Sequence, residues 1–268
     1  MIIKILNKTD IPGLNNLPPL DWTFDYEQFL NEYIDEDYFH AFVMIQDDQI
    51  IGTGNAFMKN KVAWLANIII DEKHRRKGLG LQMTKFLVDY LISIGCETQI
   101  LIATPLGAPV YHKAGFRKIS EYHCFDSDTK INYPVSKSIR LLTDDDMAEV
   151  YKMDLEVNSE NRTHLIRKYS SNGLGYLNSE NKLQGYYLPD FSRGLIISKD
   201  EKAGIELLKL KHSKIGMRTM LPAENKEGIE FLARTGLKKG EKLIRMLLGK
   251  NNNWNPQHIY SYASGYCG

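Results

Sequence analysis

The chain is short of three things: long apolar runs, cysteine, and charge of one sign. No stretch approaches the roughly 18–20 apolar residues that a membrane span needs, so no membrane role is expected. Lysine and arginine number 34 against 33 aspartates and glutamates, a net charge of +1. That balance offers no argument for a nucleic-acid partner. The three cysteines, Cys96, Cys124 and Cys267, are widely spaced and lack zinc-site spacing. They are expected to be free thiols in a reducing cytoplasm, and no metal is expected. The start, Met1-Ile-Ile-Lys-Ile-Leu6, lacks the layout of a signal peptide, so the expected location is cytoplasmic.

What is present suits a folded, mixed α/β chain. Hydrophobic residues make up 43% and charged residues 25% of 268, long enough for two domains. One stretch organises the first half. Val62–Asp71 is rich in β-branched residues and reads as a buried strand, and Glu72–Gly80 as a basic loop with two glycines. Met83, Phe86, Leu87, Tyr90, Leu91 and Ile94 then recur at helical spacing, with Gly95 placed to end the helix. A glycine-containing turn from strand to helix presents backbone N–H groups at the positive end of the helix dipole, where anions bind. Arg75, Arg76 and Lys77 add positive charge, and Gly78 and Gly80 allow close approach of the backbone. The dinucleotide pattern would need a third glycine at Met83, and the P-loop would need Gly-Lys-Ser/Thr; neither is met.

The pattern Arg75-x-x-Gly78-x-Gly80 after a strand ending in Ile70 resembles the acyl-CoA pyrophosphate loop of the GNAT superfamily of N-acetyltransferases. A second likeness lies in Thr104-Pro-Leu-Gly-Ala-Pro-Val-Tyr-His-Lys-Ala-Gly-Phe116, where Tyr111 stands four residues before a Gly-Phe pair. Many relatives carry Asn at the position of Thr104. With Trp22, Trp64 and Gly107, the chain resembles the bacterial tandem-domain (YitH-like) group of that superfamily.

The second half repeats the first. Ile139–Met147 parallels Ile3–Ile11, and Asn225–Leu237 parallels Thr104–Phe116. The reading is two tandem GNAT-like domains, α/β with mixed sheets: a catalytic domain over 1–130 and a degenerate one over 137–268. A polar linker is expected within Asp126–Val135. In the second copy, Lys199-Asp-Glu-Lys-Ala-Gly204 reads as the corresponding loop, without the glycine pair, and Leu232 replaces the tyrosine. Its expected role is structural or in shaping the acceptor pocket. The tail Trp254–Gly268 is aromatic and is expected to pack.

The resemblance implies acetyl-CoA as cosubstrate and the amine of a small molecule or amino acid as acceptor. It implies that the main chain of Ile68, Ile69 and Ile70 bonds the pantetheine arm. The N–H groups from Arg76 through Lys77, Gly78, Leu79, Gly80 and Leu81 would hold the pyrophosphate, helped by Arg75. Thr104 joins this set. A strand N–H near Ile68 would polarise the thioester carbonyl, and Tyr111 would act as general acid. Asp21, Trp22, Asp25 and Asn67 are candidates for acceptor contact. The general base is unassigned, since no glutamate lies in the strand; His40 and His112 read as surface histidines. Alternatives left open are a CoA-binding sensor without turnover, and an acyltransferase using a longer acyl group or a protein N-terminus. A homodimer is also left open.

Overall fold

A computed structural model describes residues 1–19, 25–127, 130 and 132–267. By packing, the chain divides into two units, Met1–Lys118 with Met246–Asn251, and Ile119–Arg245 with Asn252–Gly268. The sequence copies and the packing units are cut differently. The end of each copy's last strand counts with the other copy's unit: residues 119–126 with unit 2, residues 246–249 with unit 1.

Unit 1 is built on β1 (Ile2–Ile5), β2 (Phe39–Gln46), β3 (Gln49–Lys59), β4 (Val62–Ile70) and β5 (Thr98–Ala103), in that spatial order. The pairs β1–β2, β2–β3 and β3–β4 are antiparallel, while β4–β5 is parallel. Asp47 and Asp48 join β2 to β3 with φ of 50° and 59°, the left-handed pair of a tight hairpin turn. Because side chains alternate along β3, its two faces serve different helices. Phe57 meets Phe29 and Tyr33 of α1 (Tyr26–Tyr33), with ring centroids 6.0 and 4.9 Å apart. On the opposite face, Gly54 lies under α2 (Leu79–Ser93). A Cβ there would sit 2.9 Å from atoms of Met83 and Leu87, so a larger residue would push the helix off the sheet. Phe42 packs against Phe86 and Tyr90 on this same face. Gly95, at φ 90°, ends α2 as expected, with the Cys96 N–H donating to the Leu91 carbonyl. After β5 come α3 (Ala108–Lys113) and β6 (Arg117–Asp126).

Unit 2 repeats the order. A five-stranded sheet contains β7 (Ile139–Leu141), β8 (Leu174–Leu177), β9 (Leu183–Leu188), β10 (Leu195–Ser198) and, at its far edge, the tail strand Ile259–Ser261. Helices α4 (Met147–Asn158), α5 (Thr163–Lys168), α6 (Glu201–Lys211) and α7 (Lys226–Arg234) accompany it. β11 (Arg218–Pro222) and β12 (Lys238–Lys239) both pair with β6, and β13 (Leu243–Gly249) precedes the tail. The duplication extends to single interactions. Asn7 N–H donates to Asp10 and Lys4 pairs with it at 3.0 Å; Thr143 N–H donates to Asp146 and Arg140 pairs with it at 2.6 Å. The three cysteines are buried and free. Among the described residues no helix is long and apolar enough to cross a membrane.

Candidate active site

The joint between β4 and α2 differs from the sequence reading in one respect: the helix begins at Leu79, so Leu79 and Gly80 belong to its first turn. Gly78 is its N-cap at φ 80°, with no side-chain cap. The first N–H groups of a helix have no partner within it, so this end offers donors to a ligand. Arg76 is also left-handed, at φ 62°. Left-handed residues in such a turn form the concave N–H nests that bind anions. A Cβ built on Gly80 would meet only Ile70 Cγ1, at 3.9 Å, so the space beyond that glycine is open. Arg75, Arg76 and Lys77 are exposed. Arg75 folds back, its Nε donating to the Ile70 carbonyl at 3.0 Å, which ties the loop to the end of the strand. Asp71 accepts from the Lys73 N–H and lies 2.9 Å from His74 Nδ1; the bond to His74 holds its carboxyl below the usual range.

β4 and β5 pair through Val62–Thr98, Ala63–Gln99 and Trp64–Ile100, and among the described residues the pairing stops there. β4 continues to Ile70 and β5 to Ala103. The main chain around Ile68, Ile69 and Ile70 therefore has a free edge on the β5 side. β4 also carries a bulge: Asn55 stands opposite Ala66 while Thr53 stands opposite Ile69. Asn67 lies in that bulge at φ 49°. Its Nδ2 is buried without an acceptor among the described residues.

A buried polar group beside it was missed by sequence reasoning. The Thr53 hydroxyl donates to the Phe42 carbonyl at 3.0 Å. Tyr26 Oη lies 2.8 Å from Thr53 Oγ1 and donates to Asn55 Oδ1 at 3.2 Å. With the Asn55 oxygen turned to Tyr26, Asn55 Nδ2 is buried without an acceptor among the described residues. Such groups cost about 1–3 kcal/mol when unpaired. The available signal was a polar pair, Thr53 and Asn55, on one face of an otherwise apolar strand.

Thr104 stands in the turn before α3, its Oγ1 accepting from the N–H of Gly107, the N-cap of that helix, at 3.1 Å. Tyr111 is half-buried on that helix, edge-on to Phe116 at 6.3 Å. Its hydroxyl has no hydrogen bond among the described residues, and burial pushes the phenol up to about 12. α3 packs against α2. Asp25 is the N-cap of α1, accepting from the Gln28 N–H at 2.8 Å and from Asn15 Nδ2 at 3.2 Å, so its carboxylate already has a structural task. His40 is half-buried and bonded to Tyr90 Oη at 3.0 Å, while His112 is exposed. Asp21 and Trp22 lie outside the described residues.

The segment 199–204, read as a loop, is mostly helix: α6 begins at Glu201. Asp200 is its N-cap, accepting from the Ala203 N–H at 2.8 Å. The second copy's helix end is thus closed by a carboxylate.

Residues 11–116 match the acetyltransferase (GNAT) family model. The chain is 24% identical to the uncharacterized N-acetyltransferase YitH of Bacillus subtilis (strain 168), over 97% of this chain and 95% of that protein. In fold it is similar to a crystal structure from Pyrococcus horikoshii assigned as an acetyltransferase, with a TM-score of 0.81 and 16% identity over 100% of this chain and 95% of the other. It is also similar to a tandem GNAT protein from the clavulanic acid biosynthesis pathway, with a TM-score of 0.52 and 11% identity over 79% and 82%. Residues 11–116, which hold the parted strand and the open helix end, are thus the part of the chain that matches the acetyltransferase (GNAT) family model, and the chain is similar in fold to a tandem GNAT protein.

Proposed function

We propose that the protein is an acetyl-CoA-dependent N-acetyltransferase working on the amine of a small molecule or amino acid in a ternary complex. The observation that carries this is the combination, in unit 1, of an uncapped α2 N-terminus with strands β4 and β5 that part beyond Trp64 and Ile100. The residues fit the cosubstrate: open space at Gly80 and exposed Arg76 and Lys77 suit a pyrophosphate, and the free edge of Ile68–Ile70 suits an arm with amide groups. Bound acetyl-CoA supplies the activated acetyl group.

The remaining roles fall to the chain. N–H groups from Arg76 to Leu81 hold the phosphates, and an N–H near Ile68 polarises the thioester carbonyl. Tyr111, a phenol protonated at neutral pH and pushed up to about 12 by burial, gives its proton to the departing sulfur. Asn67 Nδ2 and Asn55 Nδ2, donors without acceptors, suit an oxygen of the acceptor or a water beside the bulge. β4 contains no Asp or Glu, and this favours a second reading, a CoA-binding sensor without turnover. Thiol release from acetyl-CoA, measured with a panel of amines and with several acyl chain lengths, separates the two. Release that depends on an amine supports the enzyme. CoA binding without release under every amine and acyl group would sink it.

A further inference from the structure

In unit 2 the strands corresponding to β4 and β5 are β10 and β11, since both pairs flank the first helix after the central strand and precede a further short helix, α3 or α7. The space between them is filled by the chain's own tail. β14 (Ile259–Ser261) runs antiparallel to β10, with Ile196 opposite Ser261 and Ile197 opposite Ile259. On its other side the Tyr262 N–H donates to the Met220 carbonyl of β11 at 2.8 Å. The tail is held by side chains as well. Asn225 is the counterpart of Thr104 and caps α7 through Oδ1, accepting from the Gly228 N–H at 2.8 Å. Its spare Nδ2 donates to the Ile259 carbonyl at 2.9 Å. The Tyr260 ring lies on Gly204 in the first turns of α6; a Cβ there would stand 2.4 Å from two ring carbons, so the residue must be glycine. Lys211 Nζ donates to Ser261 Oγ at 2.7 Å, and Arg162 Nη1 to the Cys267 carbonyl at 2.5 Å.

We propose that this slot is a binding site for an extended polypeptide strand, occupied by residues 256–267 of the same chain, and that this occupant stands in place of acyl-CoA in the second copy. A strand satisfies the N–H and C=O groups of β10 and β11, while the Asp200 carboxylate holds the helix end where a phosphate would need to lie. This holds whichever reaction unit 1 carries out.

The test lets the full chain fold before the tail is freed. A protease site is inserted after Asn253, in the exposed stretch before β14, and the folded protein is cut there. The tail should stay bound through gel filtration, and a labelled synthetic peptide of residues 254–268 should exchange into the cut protein at one per chain. Tyr260→Ala in that peptide should weaken its binding by about tenfold or more. Acetyl-CoA in large excess should not compete. If losing the tail unfolds unit 2 and added peptide restores it, the assignment gains the same support. A tail that leaves while the protein stays folded and refuses the peptide overturns it, as does unfolding that peptide does not reverse. Competition between acetyl-CoA and the peptide also overturns it, by making the slot a masked cofactor site.

Discussion

The same strand–helix joint occurs twice in this chain, and the two versions end in opposite chemistry. Between β4 and α2 lie eight residues, 71–78, with left-handed backbone at Arg76 and Gly78 and no side-chain cap on the helix among the described residues. Between β10 and α6 lie two, Lys199 and Asp200, and the aspartate closes the helix end itself. Beyond the joint, β4 leaves β5 with a free edge, whereas β10 and β11 enclose β14. A helix dipole is present in both, so the dipole alone does not make an anion site. The two joints differ in whether the first N–H groups are left for a ligand or met by a carboxylate, and in whether the neighbouring slot is open or filled by the tail.

The sharpest way to break the comparison is to close the first joint. Gly80→Val should abolish CoA binding and leave the fold intact, because the added Cβ meets only Ile70 within the protein yet fills the ligand's space. Calorimetry should fall from about one CoA per chain to none, with a melting curve close to wild type. A second CoA surviving the change would mean that the second joint is also a working cofactor site.

Tyr111→Phe should lower kcat by about 10²-fold with acetyl-CoA affinity unchanged. Stability should hardly move, since the lost hydroxyl has no partner among the described residues. With the phenol raised to about 12, deprotonation of Tyr111 should cause no loss of rate below about pH 11. Wild-type turnover in a mutant whose chemistry is rate-limiting would remove the residue from the mechanism.

The third prediction concerns the filled slot. Lys211 is buried, and its amine donates to Ser261 Oγ and to the Gly194 carbonyl. Two acceptors suit a neutral amine; an ammonium would carry a third N–H. Burial first, then repulsion from Arg193, pushes it down to about 7, and His212 beside it is pushed down to about 4. From about pH 7 to the ordinary lysine value near 10.4, the unfolded chain binds more protons than the folded one, so this group makes stability rise with pH. Between pH 7 and 9 the gain should be about 2 kcal/mol. Lys211→Met should flatten that slope in denaturant titrations, and an unchanged slope would show that the amine is not neutral in the fold.

The smallest effect is expected at Asp200. Asp200→Ala should cost about 1 kcal/mol in urea unfolding, the value of an N-cap, without creating a second CoA site, because the tail still fills the slot. A gain of CoA binding would show that the carboxylate, and not the tail, excludes the cofactor.

Much of unit 1 was legible because its signals are local. Periodicity in β4 and α2, the helix stop at Gly95 and the glycine pair all follow from neighbours within a few residues. The start of α2 was placed two residues late, because glycine at an N-cap and at the second helical position resembles loop. The segment from Lys199 to Gly204 was misread for a related reason. Its charged residues suggested a loop, yet Asp-Glu-Lys-Ala after a strand is an N-cap followed by good helix formers.

The sequence by itself determined the duplication, the strand–helix joint, the glycine pair with its basic neighbours at Arg75–Gly80 and the absence of that pattern in the second copy. These depend on backbone freedom and charge at adjacent positions. Tertiary structure alone decided that β4 leaves β5 after Trp64, that Asn55 and Asn67 hold donors unpaired among the described residues, and that the aromatic tail lies between β10 and β11. Each of those joins residues far apart in the chain, and which strand edge stays free depends on every other strand that competes to cover it.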